Sequence, residues 1–213
     1  MEVAIAGGHG KIALRLGKLL ADREDKPWGL IRDPAQEDDL HAVGVEPVIC
    51  DFEGGDDVAQ AVSGADAVVF AAGAGPGSGG ERKWTVDYGA AAKLIEAARA
   101  EGVRRYLMVS AMGAADPPPD GGDVFGEYLR AKAKADEELR ASGLEYTIVR
   151  PGGLTDGSPT GLVTAGERLD RGEVPRADVA AVLLACLDAR HTIDRSFDLV
   201  AGPAPIAEAL ASL

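Results

Sequence analysis

The sequence predicts an α/β fold, a doubly wound parallel sheet with helices on both faces. Short apolar runs alternate with amphipathic stretches along the chain, which is the rhythm of repeated βαβ units. The first run is followed directly by a glycine-rich turn and then by a helical pattern. A central run, AVVFA at 67–71, is continuously apolar, as expected of a strand covered on both faces.

In chain order, strands are expected at 3–6, 28–31, 47–50, 67–71, 105–109 and 145–149, with a short one at 162–164 and a last one at 197–200. Helices are expected at 12–20, 38–43, 57–62, 84–100, 127–141, 175–189 and 206–213. Gly64, Gly102 and Gly143 follow three of these helices, at the position where a left-handed C-terminal residue is favoured. Pro175 sits at the start of another. Glycine-rich or proline-rich loops cover 73–80 and 117–122. Right-handed crossovers then give the strand order 3-2-1-4-5-6 plus an appended strand. No linker or repeat interrupts this pattern, so 1–213 reads as one domain, with the residues after about 151 forming a small substrate-side extension.

Composition narrows the function. The formal net charge is −13, which disfavours nucleic acid and anionic membranes as partners. An anionic cofactor then needs a local positive pocket. No apolar run reaches the length of a membrane span, and the N-terminal MEVAI enters a strand with no basic leader region, so a cytoplasmic location is expected. Cys50 and Cys186 lie in separate apolar stretches and read as buried free thiols. His9, His41 and His191 have no ligand spacing, so no metal is expected. The sequence carries no signal of oligomeric state.

Gly7-Gly8-His9-Gly10-Lys11-Ile12-Ala13 joins the first strand to the first helix. This is how a Rossmann-type sheet binds a dinucleotide: Gly7 permits the tight turn, Gly10 lets the backbone approach the pyrophosphate, and the helix N-terminus offers free N–H groups to the phosphates. Ala13 stands where a third glycine would allow the helix to pack on the strand. Arg32 follows the second strand and suits the 2′-phosphate of NADP, whereas an acid there suits NAD. The adjacent Asp33 keeps NAD as the lesser alternative, and Arg32 paired with Asp33 on the surface is the bland one. Asp51 and Phe52, after the third strand, are placed either to meet the adenine or merely to cap a turn. Ala71, Ala72 and Gly73 end the fourth strand beside the switch point.

Tyr128 and Lys132 share a helix face at i and i+4. A neighbouring ammonium lowers a tyrosine pKa and makes a general acid/base; Lys132 is also placed to hold the nicotinamide ribose. The bland alternative is a half-buried aromatic and a solvated charge.

These motifs, together with Arg32-Asp33-Pro34, Val109-Ser110 and Ile148-Val149-Arg150-Pro151-Gly152-Gly153-Leu154, resemble the atypical short-chain dehydrogenase/reductase superfamily. More narrowly they resemble its NmrA-like NAD(P)-binding group, whose members often carry an NAD-dependent epimerase/dehydratase label. The resemblance implies NADP along the carboxyl edge of the sheet, with Pro151, Gly152, Gly153 and Leu154 near the nicotinamide. It implies that Asp87 matches an active-site position that shapes the helix and organises water near the lysine; by the residue alone, Asp87 reads as solvated. Ser110 matches the first of two serines after the fifth strand, but Ala111 replaces the second, so either it reaches a substrate carbonyl or it bonds backbone at the strand end. Sugar-nucleotide epimerases carry a large C-terminal substrate domain with no counterpart in 1–213, so a sugar nucleotide is not the expected substrate.

The reading that results is an NADP-dependent oxidoreductase acting on a small carbonyl, quinone or flavin-like molecule. The alternatives are a non-catalytic NAD(P)-sensing regulator and an epimerase/dehydratase. Substrate choice is expected to lie in the loops 73–80 and 114–122.

Overall fold

A computed structural model of the protein describes residues 1–75, 77–119 and 123–213. The expected loops at 73–80 and 117–122 contain the undescribed positions.

The first half follows the predicted rhythm. Strand β1 (Glu2–Ala6) leads into helix α1 (Lys11–Asp22), then β2 (Lys26–Ile31), α2 (Glu37–His41), β3 (Glu46–Ile49), α3 (Val58–Val62) and β4 (Ala67–Phe70). A short α4 (Gly80–Arg82) continues as a π-helical segment (Lys83–Ala90) and then as α5 (Ala91–Ala100). Next come β5 (Arg105–Val109), α6 (Val124–Ala141), β6 (Glu145–Pro151), β7 (Gly153–Thr155), β8 (Leu162–Gly166), β9 (Glu173–Pro175), α7 (Arg176–Asp188), β10 (Arg195–Ala201), β11 (Ala204–Pro205) and α8 (Ile206–Ala211).

Nine strands form one sheet in the order β11-β8-β10-β6-β5-β4-β1-β2-β3. The core order 3-2-1-4-5-6 is as predicted, and all its pairings are parallel. β10 extends it parallel to β6, and β8 and β11 add antiparallel strands at that edge. The appended region is thus larger than the expected strand. β11 is two residues long, and β7 and β9, which pair separately, are three each; runs so short leave no alternation to detect.

Every residue of β4 is buried, because the strand sits centrally with helices on both faces. The period-2 rule divides β1 between two cores. Val3 and Ile5 pack with Leu16 of α1 and Val179 and Leu183 of α7. Ala4 and Ala6 face the opposite side, with Leu94 of α5 and Leu139 of α6. Cys50 and Cys186 are free and buried, as expected, and burial pushes their thiols up to about 11 and about 12. Among the described residues no helix is long and apolar enough to cross a membrane.

One helix departs from expectation. The helix expected at 84–100 starts at Gly80 and is π-helical over Lys83–Ala90. Such wide turns accumulate at functional sites because they re-aim side chains. Here the π segment carries Asp87, with its side chain fully buried.

Candidate functional site

The sheet order reverses at β1, whose neighbours are β2 and β4. Beyond the carboxyl ends of these strands, where such sheets bind ligands, lies a cavity of about 370 Å³. Gly7, Gly8, His9 and Gly10 line it from β1, Arg32 from β2, Asp51, Phe52 and Glu53 from β3, and Ala71 to Ala74 from β4.

The glycines are required by close approach. Gly7 has φ +76°, and a Cβ there would lie 2.7 Å from Ala72 Cα; one on Gly8 would lie 2.7 Å from Gly29 Cα. The turn therefore packs directly on the backbone of β2 and the end of β4. Gly10 caps α1 in ordinary extended geometry, with no side chain bonding the first turn and no acid within it. The first N–H groups of α1 are left for a ligand, so the donor set suits an anionic dinucleotide.

Other predicted cofactor residues fall unevenly. His9 lines the cavity, but its ring Nε2 lies 2.7 Å from Asp39 Oδ2. Lys11 Nζ donates to Asp156 at 2.6 Å, and Ile12 is in the core; neither lines the cavity. Arg32 is not paired with Asp33. Its Nη1 donates to Glu53 Oε2 at 3.1 Å, while Asp33 accepts from the N–H of Ala35. Asp51 caps its turn, accepting from Glu53 N at 2.9 Å, and still borders the cavity. Pro151, Gly152, Gly153 and Leu154 form no plain turn: they run from β6 into β7, and a Cβ on Gly152 would meet Gly172 O at 2.2 Å.

The predicted catalytic residues gather behind the β4 wall of the cavity. Asp87 corrects the solvated reading: it is fully buried, pairs with Lys132 Nζ at 3.3 Å, and accepts from Ala74 N at 3.3 Å. Lys132 Nζ also donates to Val109 O at 3.1 Å and Ala72 O at 3.4 Å. Its donors are engaged, so the expected ribose contact requires one of these bonds to be given up. Lys132 instead clamps α6 to the ends of β4 and β5, and Ala72 and Ala74 join this clamp to the cavity. Tyr128 is half-buried, its ring 5.9 Å from Lys132 Nζ, 5.4 Å from Lys83 Nζ and 5.9 Å from the exposed Phe125 ring. The predicted lowering of its pKa is reversed. Burial raises the phenol above its ordinary value and outweighs the pull of Lys132, and Asp87 adds to the rise.

Ser110 is buried, with its hydroxyl turned inward beside the Asp136 carboxyl. It neither bonds backbone through its side chain nor lines the cavity. Asp136 pairs with Arg150 Nε at 3.0 Å, and burial pushes its carboxyl up against the pull of that arginine. Sequence reading passed over Asp136, although Tyr128, Lys132 and Asp136 recur at i, i+4 and i+8 of one helix. It also passed over Glu53, Arg82 and Lys83, which no local period marks.

Comparison with known proteins places the chain among nucleotide-binding proteins. The model of an NAD(P)H-binding family matches residues 7–190. A Bacillus subtilis protein described as the uncharacterized sugar epimerase YhfK is 42% identical, with both chains covered in full. A solved Bacillus halodurans structure, provisionally described as an NAD-dependent epimerase/dehydratase, is 36% identical and superposes with a TM-score of 0.93, again over both whole chains. ChuY of Escherichia coli O157:H7, described as an anaerobilin reductase, is 27% identical with a TM-score of 0.81, covering 96% of this chain and 100% of its own. The chain folds as a Rossmann-type sheet and belongs to the NAD(P)H-binding family.

Proposed function

We propose that the protein is an NADP-dependent oxidoreductase that reduces a small carbonyl, quinone or flavin-like acceptor. The observation that carries this reading is the placement of Tyr128 over the buried Lys132–Asp87 pair, directly behind the wall of the dinucleotide cavity. A bound NADPH supplies the hydride. Tyr128, kept protonated by burial, gives its phenolic proton to the oxygen of a carbonyl or quinone, or to a ring nitrogen of a flavin, and water returns one to the phenolate. Lys132 stabilises that phenolate, and Asp87 holds Lys132 in place. Arg32 at the mouth of the cavity provides charge for the 2′-phosphate. The likeness to a reductase, ChuY, supports the same reaction class.

The reaction is tested by following NADPH consumption against a panel of carbonyls, quinones and flavins. Turnover with at least one class supports the proposal; tight NADPH binding with no acceptor reduced overturns it. That second result would favour a nucleotide sensor, a reading to which the inward-facing Ser110 hydroxyl lends weight. Coenzyme choice has its own test. NADPH is expected to bind tighter than NADH by about 1–3 kcal/mol, the scale of charge-assisted contacts. Arg32→Ala removes that preference. Equal affinities in the wild type, or an unchanged preference in the variant, contradict the assignment.

A further inference from the structure

We infer that Glu53 is a specificity-determining residue of the coenzyme site, a resident carboxylate that holds Arg32 and Arg82 together until a phosphate on the adenosine ribose displaces it. The inference rests on the proposed use of NADP and adds Arg82 and Glu53 to that site.

Glu53 Oε2 accepts from Arg32 Nη1 at 3.1 Å and from Arg82 Nη2 at 2.9 Å, so two guanidinium groups converge on one oxygen. The arginines come from unrelated elements, the end of β2 and helix α4, and both line the same cavity as the glycine turn. Thr85 Oγ1 donates to the other carboxylate oxygen at 2.8 Å. Arg82 Nε is buried and has no hydrogen-bond partner among the described residues. One carboxylate therefore leaves donor capacity unused at a site that two cations have already formed.

A 2′-phosphate carries more negative charge than a carboxylate near neutral pH and presents three acceptor oxygens. It suits two planar guanidinium forks better than Glu53 does. All three side chains are partly exposed, so their ion pairs are weak and exchange of partner is inexpensive. NADH has no such phosphate and leaves the Glu53 bridge intact. Glu53 thus preorganises the arginines and at the same time competes with NADPH for them.

The test is titration of the full-length protein with NADPH and NADH in wild type, Glu53→Gln, Arg82→Ala and Arg32→Ala. Glu53→Gln is expected to tighten NADPH about tenfold, the scale of one charge-assisted contact, while NADH changes by less than about twofold. Arg82→Ala is expected to weaken NADPH about tenfold and to spare NADH. Unchanged or weakened NADPH binding in Glu53→Gln, or equal shifts for both coenzymes, overturns the inference. If Arg32→Ala abolishes an NADPH preference that Glu53→Gln leaves unaltered, the NADP assignment stands and this inference falls. If the wild type binds both coenzymes equally and Glu53→Gln creates a preference for NADPH, the inference stands and the assignment falls. A wild type that prefers NADH and loses it in Glu53→Gln overturns both, and makes Glu53 an acceptor for ribose hydroxyls.

Discussion

Replacing Lys132 by methionine is expected to destabilise the cofactor-free protein by about 3–5 kcal/mol, the cost of leaving one member of a buried ion pair without its partner. Asp87 and Lys132 are both almost wholly inaccessible and lie 3.3 Å apart. With Lys132 gone, Asp87 keeps only the N–H of Ala74 among the described residues. In a chain of this size such a loss corresponds to a melting temperature lower by on the order of 10 °C. Asp87→Leu alone should also be costly, because it strands the ammonium. The double variant Asp87→Leu/Lys132→Met should recover much of the loss, since apolar replacement of a whole buried pair is often close to neutral. Urea denaturation of the four proteins gives the coupling directly. Additive losses, or a Lys132→Met protein within about 1 kcal/mol of wild type, would show that the pair is not the clamp described above.

Tyr128→Phe is expected to lower turnover by roughly 10²–10⁴, the usual worth of a positioned general acid, with NADPH affinity unchanged. The ring and its contacts with Phe125 and the two lysines are retained; only the hydroxyl is lost. The pH dependence has a definite sign. A general acid works while protonated, and burial raises the Tyr128 pKa. Reduction should therefore hold level through neutral pH and fall only as pH rises through a value above about 10. In Tyr128→Phe that alkaline fall should vanish along with most of the rate. A variant that turns over at the wild-type rate would mean that the proton comes from water, and Tyr128 would lose its role.

Much of the fold was legible because its signals are local. The strand at 105–109 was placed to the residue, and the glycine turn was recognisable from its position between an apolar run and a helical one. The face shared by Tyr128 and Lys132 follows from helical spacing alone. The burial of Lys132 does not, since lysine is ordinarily exposed. Its partner lies far away in sequence, and that partner is turned inward by a π-helical segment whose wider turn has no marker in composition. Arg32 borders the cavity at the position its place after the second strand predicts, but its pairing with Glu53 depends on how the loop after β3 folds back. The fate of Tyr128 shows why sign needs structure: helical spacing supplied the cation, whereas desolvation, which spacing cannot report, outweighed it.

Whether a dinucleotide lies on the turn from Gly7 to Gly10 is decided by titrating wild type and Gly10→Val with NADPH. Gly10 has φ −64° and ψ 147°, which any residue adopts, and the nearest atom to an added Cβ is Gly7 O at 3.0 Å. The substitution should leave the fold in place, verifiable by circular dichroism and melting, while its methyl groups fill the space a pyrophosphate needs. Saturable NADPH binding is expected of the wild type and none measurable of the folded variant. A folded Gly10→Val protein that binds NADPH with wild-type affinity would contradict that placement of the dinucleotide.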